Sequence, residues 1–375
     1  MRQARYIIYL FIAILAGSCV SEFIPETEES TEMLVVEGLI TDQPGINVVT
    51  LSKSQPLASR TKGTPYRGCI VTITDDLGNV STLREKSAGI YATDSAHFIG
   101  VVGRTYKLTI RTNNVTSDDF TYESLPVKMI PVPPVDSIYY EKERYDDVSG
   151  HLREGCQIWF DSHDPDNECK FYRWDYRETW MFQLPYVVTN NTCWISSNST
   201  DINIRNTSVL SENRISKYPL NFVSPESDRL SKKYSLLLNQ YSLSEDEFNY
   251  WEKLKKVTEE VGSLYDVTPS FIPGNVVCLE DNSQTVLGYF SVSAMKSKRL
   301  FVNSHFTGLV NLYTDCASDT VNDLNDVSDL NIKEWVIETN FLVRPPIYIL
   351  TKTKGCADCT VRGTNIKPSW WDDSK

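Results

Sequence analysis

"TYKLTIRTNN", residues 105–114, puts Tyr106, Leu108 and Ile110 on one side of an extended chain and Lys107, Thr109 and Arg111 on the other. A period of two is that of a strand with one dry face, because successive side chains of a strand point to opposite sides. Upstream lie "LVVEGLITD" (34–42), "NVVTLSKS" (47–54), "CIVTITDDLGNVSTL" (69–83) and "GIYATD" (89–94), short runs of the same kind. "DDLGN" within the third reads as a hairpin turn, with Gly78 free to take the positive φ such a turn needs. Strands at this spacing predict a mainly β chain whose residues 33–125 form a small β-sandwich of immunoglobulin-like or transthyretin-like type.

Downstream, Pro126, Pro131, Pro133 and Pro134 withdraw backbone donors and favour extended geometry, so residues 126–135 are expected to be a linker. Residues 136–375 then read as a larger β-rich domain. Its clearest strand lies in "CKFYRWDYRETWMF" (169–182), where Tyr172, Trp174, Tyr176 and Trp180 share a face with Glu178. Trp174, Tyr176 and Trp180 are candidates for a platform on which a sugar ring or peptide side chain stacks, while an aromatic face of this size is also what covers a core. The loop before it carries Asp161, Asp164, Asp166 and Glu168, residue types that chelate calcium, but it lacks the alternation and glycine of an EF-hand loop and is expected to be a solvated hairpin loop.

One helix is predicted, over about 244–261 in "SEDEFNYWEKLKKVTEEVG". Ser244 and Glu247 make a capping box, acidic residues fill the first turn, and Gly262 offers a stop. Tyr250, Leu254, Val257 and Val261 form its apolar stripe, widened by Phe248 and Trp251. At the far end, "CADCTVRGTNIKPSWWDD" (356–373) carries Trp370 and Trp371, indoles that gain by docking on the body.

The amino terminus reads differently. Arg2 and Arg5 precede an apolar run from Tyr6 to Ala16, the layout of a secretory signal and too short to span a bilayer. Small residues Ala16, Gly17 and Ser18 then lead to Cys19, an order that resembles a bacterial lipobox, although Ala16 stands where Leu is more usual. The implied chemistry is diacylglycerol on the Cys19 sulfur, cleavage of residues 1–18 and acylation of the new amino terminus, an anchor without a spanning helix. Residues 19–32, with Glu22, Glu26, Glu28 and Glu29 among Ser and Thr, make a solvated acidic tether. In Bacteroidota lipoproteins such acidic residues resemble a signal for export to the outer face of the outer membrane.

The 375-residue chain has 41% hydrophobic residues and a formal charge of −12, which becomes −14 when Arg2 and Arg5 leave with the signal. An acidic chain argues against nucleic acid as a partner, and against attraction to anionic headgroups, so membrane attachment would rest on Cys19. Beyond Cys19, eight cysteines remain, an even number suited to disulfides in an oxidising compartment, with Cys356 and Cys359 as disulfide candidates. Eight cysteines allow 105 pairings; reduced buried thiols, or metal and redox work by "CADC", are the other readings. No cofactor or metal is expected, since no second CxxC completes a zinc site and the four histidines are scattered. With no Gly-x-Ser-x-Gly elbow, HExxH helix or phosphate loop, no catalytic residue and no enzyme activity are expected. A surface hydrolase built on paired carboxylates is the less favoured alternative.

Four stretches together resemble one family: "LVVEGLITD" soon after the lipobox, "FYRWDYRETW", the run 241–276 followed by "VLGYFSVSA" (286–294), and the terminal "CADCTVRGTNIKPSWW". The chain is similar to the Bacteroidota outer-membrane lipoproteins known as domain of unknown function 4249. That resemblance implies an accessory surface subunit beside a TonB-dependent transporter and carries no assigned catalytic residues. The expected role is a lipid-anchored binding subunit that captures or presents a peptide or glycan, and the alternative is an assembly subunit without a small ligand.

Overall fold

The computed structural model describes residues 32–55, 63–94, 98–113, 119–147, 149–259, 272–317, 319–323, 335–372 and 374. The signal, Cys19 and nearly all of the tether lie outside the described residues, as do Val261 and Gly262 of the predicted helix end.

Alternation along the first strands builds a rolled sheet. Its members are β1 (Leu34–Thr41), β2 (Val48–Lys53), β3 (Thr64–Pro65), β4 (Ile70–Asp75), β5 (Val80–Ser87), β6 (Ile90–Ala92), β7 (Thr105–Arg111), β8 (Thr121–Ser124) and β9 (Val127–Lys128). Tyr106, Leu108 and Ile110 of β7 are buried on the inner face, as their period of two requires. Gly78, at φ 82°, makes the turn between β4 and β5.

The second region holds β10 (Val135–Asp146), β11 (Leu152–His163), β12 (Phe171–Gln183), β13 (Thr192–Asn198), β14 (Asn203–Asn206), β15 (Arg214–Val223) and β16 (Lys233–Leu243). Then come α1 (Glu245–Glu259), β17 (Val276–Cys278), β18 (Leu287–Ser293), β19 (Met295–Val302), β20 (Asp319–Val321), β21 (Trp335–Asn340), β22 (Ile347–Thr351) and the short α2 (Lys354–Ala357). A three-stranded sheet, β10-β11-β15, packs on a five-stranded one, β13-β12-β16-β19 with β14 on β12. The rings of Phe160 on β11 and Trp174 on β12 meet at 5.1 Å between the layers. A small sheet, β20-β22-β21, follows.

The expected division at 126–135 is corrected by two strands that come back. β18 pairs in parallel with β1, Val36 opposite Gly288, and β17 pairs with β8. The first sheet therefore reads β17-β8-β7-β4-β5-β6-β2-β1-β18, eleven strands with β3 and β9 added at the side, and its ends are supplied by residues from beyond α1. Asn275 closes the gap between those ends: its Nδ2 donates to the Phe290 carbonyl at 2.9 Å, its Oδ1 accepts from the Phe290 N–H at 2.9 Å, and its own carbonyl accepts from the Leu125 N–H. The proline-rich segment is likewise no free linker. Met129 is fully buried, Val127 and Val132 are buried beside it, and the Pro133 carbonyl accepts from Gln240. One contiguous core runs through both regions.

No helix among the described residues is long and apolar enough to cross a membrane.

Candidate functional site

The aromatic strand does not offer a stacking platform. Trp174 is 1% exposed and Tyr176 7%. Trp174 is sandwiched by Tyr172, Phe160 and Tyr218, and its indole N–H donates to Gln240 at 2.8 Å. Trp180 is half-buried and packs between two clusters of the core. These residues fill the space between two sheets, where no ligand face remains. Glu178, on the same face, is held by Arg229 through both oxygens at 3.0 and 3.1 Å and by the Tyr234 hydroxyl at 2.9 Å. A buried charge is tolerable when it is paired and hydrogen-bonded in this way, so its role is structural.

Of the acidic loop, Asp166 and Glu168 are exposed, as a solvated loop requires, and the other two carboxylates are committed internally. Asp164 accepts from the Cys169 N–H at 2.8 Å and from Asn213, while Asp161 accepts from the Ser137 hydroxyl and from the Lys217 N–H. Among the described residues no group of three or more His, Cys, Asp or Glu side chains could hold a metal ion.

The cysteines divide. Cys356 and Cys359 are each in a disulfide, with separate distant partners: Cys316–Cys356 and Cys193–Cys359, both with Cα atoms 5.8 Å apart. Cys69, Cys156, Cys169 and Cys278 are reduced and buried. Burial pushes the thiols of Cys156 and Cys169 up to about 12, so neither is a thiolate at neutral pH. The tight spacing of "CADC" arises where α2 ends and a 3-10 turn, Cys359–Val361, begins. Asp358 between them caps that turn by accepting from the Thr360 N–H at 3.0 Å. By loop-closure entropy alone, bridges spanning 40 and 166 residues stabilise by about 4 and about 5 kcal/mol.

Between these two bridges lies an open cleft of about 540 Å³. One lip is the hairpin loop that follows β12, including Tyr186 and Val187; the other is the segment Leu309–Tyr313, with Ser231 and Lys232 between. Each lip is pinned by a disulfide. The hairpin contains Cys193, bonded to Cys359, and Tyr313 lies three residues before Cys316 and packs in the cluster of Cys316 and Cys356. Arg362 braces the floor: its Nη1 donates to the Tyr313 hydroxyl at 2.8 Å, its Nη2 sits 2.9 Å from buried Asp228, and its guanidinium lies 4.9 Å from the Phe182 ring centroid. Val187 is 99% exposed and Leu312 47%, so the lips present apolar surface while Lys232, Asn191 and Asn311 supply polar groups. Volume and mixed lining are those of a site for a small ligand or a few residues of a chain.

The family model described as domain of unknown function (DUF4249) matches residues 20–299. The chain belongs to this family. None of the curated proteins compared matches it. The DUF4249 match contains the rolled sheet, the two-layer sandwich up to the middle of β19, α1 and the first lip of the cleft; the second lip, Arg362 and three of the four bonded cysteines come from residues after 299. Within the DUF4249 span, "PGNV" and "LGYF" are seam elements. Gly288, at φ 84°, would place a Cβ 2.1 Å from the Val36 carbonyl oxygen, and a Cβ on Gly274 would meet the Gly288 carbonyl oxygen at 1.7 Å. Only glycine allows three backbones this close.

Proposed function

We propose that this DUF4249 protein is a lipid-anchored binding subunit at the outer membrane, held by Cys19, working with a TonB-dependent transporter to capture and present a peptide or glycan in the disulfide-framed cleft. The observation that carries the reading is the cleft itself: an amphipathic groove with both lips fixed by disulfides. Disulfides persist in oxidising compartments, which supports an extracytoplasmic address and agrees with the signal and lipobox pattern at residues 1–19. The mechanism is capture by proximity. A tethered cleft beside a transporter raises the local concentration of ligand without needing high affinity.

The second reading, an assembly subunit with no small ligand, draws on the β21–β22 hairpin, whose tip leaves Phe341 75% and Leu342 96% exposed. Co-purification after mild detergent extraction from the native cell decides between them. A transporter retained together with peptide or glycan is the expected result; a stoichiometric complex empty of ligand supports assembly, and turnover of peptides or glycans by the isolated chain contradicts both.

A further inference from the structure

The face of β12 opposite its aromatic core carries Arg173, Asp175, Arg177, Thr179 and Met181. α1 covers one end of this face, where the Arg173 guanidinium lies against Tyr241 and Trp251 at 4.8 and 4.7 Å. The carboxy-terminal tail covers the other end, where Trp371 packs on Trp194 and Phe301. Between the two covers the register aligns three residues in one row: Arg177 on β12, Leu237 on β16 and Arg299 on β19.

Two guanidiniums thus flank one half-buried aliphatic side chain, and among the described residues neither has a carboxylate within ion-pair distance. Arg299 donates to Ser235 Oγ at 3.1 Å and lies 3.5 Å from the centroid of the Trp370 ring, which is itself 39% exposed. Arg177 is exposed. The nearest acid along β12, Asp175, is engaged by Asn239 at 2.8 Å and lies beside Tyr241, on the side toward α1. In a chain with 49 acidic and 37 basic side chains, two adjacent arginines without a carboxylate partner stand out against the composition. Burial and the charge of Arg177 both work against protonation of Arg299, the signature of like charges facing the same space.

We propose that Arg177 and Arg299 form a carboxylate-binding site, with Leu237 as its floor and Trp370 as its wall, for a carboxylate on a short apolar stem such as an acidic side chain of a peptide. Guanidinium forks match the planar, two-oxygen geometry of a carboxylate. The aliphatic floor and indole wall suit a hydrocarbon stem, whereas a strongly hydrated phosphate dianion would lose water there without replacement. This site lies on the outer face of β12, away from the Phe182–Tyr313 cleft, and does not rest on the function proposed for that cleft.

The test is titration of the mature chain with acetylated, amidated tri-glutamate, followed by tryptophan fluorescence, beside tri-glutamine and inorganic phosphate. Saturable binding of tri-glutamate is expected, weakened at least tenfold by R177Q and by R299Q, with tri-glutamine inert. Because Arg177 is exposed and makes no bond that its loss would orphan, R177Q is expected to fold with a Tm equal to or above that of the parent. Equal affinity in R177Q, equal binding of tri-glutamine, absence of saturation, or phosphate binding more tightly than tri-glutamate would each overturn the proposal.

Discussion

At the scale of single residues, Asn275 and Gly288 carry more of the fold than their size suggests. Replacing Asn275 by Ala leaves the buried N–H and C=O of Phe290 without partners, and N275A is expected to lose about 2–4 kcal/mol in chemical denaturation. Glu247 is the residue whose part changed most between sequence and structure. Ser244 caps α1, its Oγ accepting from the Glu247 N–H at 3.2 Å, as the capping-box reading predicts. The Glu247 side chain does not return to Ser244. It is fully buried, its Oε1 accepting from Ser291 Oγ at 2.6 Å and Trp251 Nε1 at 3.2 Å, with Oε2 unpaired. Burial raises its carboxyl pKa above the ordinary 4.5. A raised folded-state pKa contributes stability that is present below the unfolded value and lost as pH rises through the folded one. E247Q, which keeps the acceptor and removes the charge, is therefore expected to be more stable than the parent at pH 7, with the gap closing toward pH 4. A parent more stable than E247Q at pH 7 would contradict the burial of an unpaired carboxyl.

Among elements, the tail and the disulfides are where the cleft is made rigid. Trp371 is 4% exposed against Trp194, Phe301 and Trp370, and the Asp372 carbonyl accepts from Lys233. W371A is expected to cost on the order of 3 kcal/mol through lost burial and the cavity left behind. C193S removes the bridge that fixes the first lip, with an expected loss of about 3–5 kcal/mol and faster amide exchange in residues 184–191. Exchange unchanged in that loop would show that the bridge does not hold the lip.

The strands and helix were legible because their periods of two and 3.6 are local properties: Tyr106, Leu108 and Ile110 face inward as read, and α1 starts after Ser244. The bond partners of Cys356 and Cys359 were not legible, since pairing depends on which loops the fold brings together. Nor was the cleft, whose walls come from three segments of chain separated by strands. Trp174 and Tyr176 could be read either as ligand platform or as core until the facing sheet supplied Phe160 and Tyr218.

For the whole molecule, what the sequence concealed is the long-range closure. β1 and β18 pair across some 250 residues, and nothing local in "LVVEGLIT" points to a parallel partner beyond α1. A proline cluster signals extended backbone, yet Met129 and Val132 within it are core, so composition alone placed a boundary where packing has none. The charged groups of the body also respond to acid together. Arg144 and the Thr307 N–H hold the Glu154 carboxyl down at about 2, and the His151 N–H with Arg153 holds Asp147 down at about 2. Depressed carboxyls contribute stability above their unfolded values, 4.5 and 3.8, that is lost as pH falls through the folded ones. Stability by denaturant titration is expected to fall between pH 4.5 and 2, with a shallower fall in E154Q.

The central claim, an exported and lipid-anchored protein whose binding cleft is framed by two disulfides, is tested most directly by non-reducing peptide mass mapping of the chain taken from its native membrane. The account predicts an amino terminus at acylated Cys19, linked peptides for Cys193–Cys359 and Cys316–Cys356, and four thiols at Cys69, Cys156, Cys169 and Cys278 that alkylate only after unfolding. A retained Met1 leader, or eight reduced cysteines after residue 19, would contradict it.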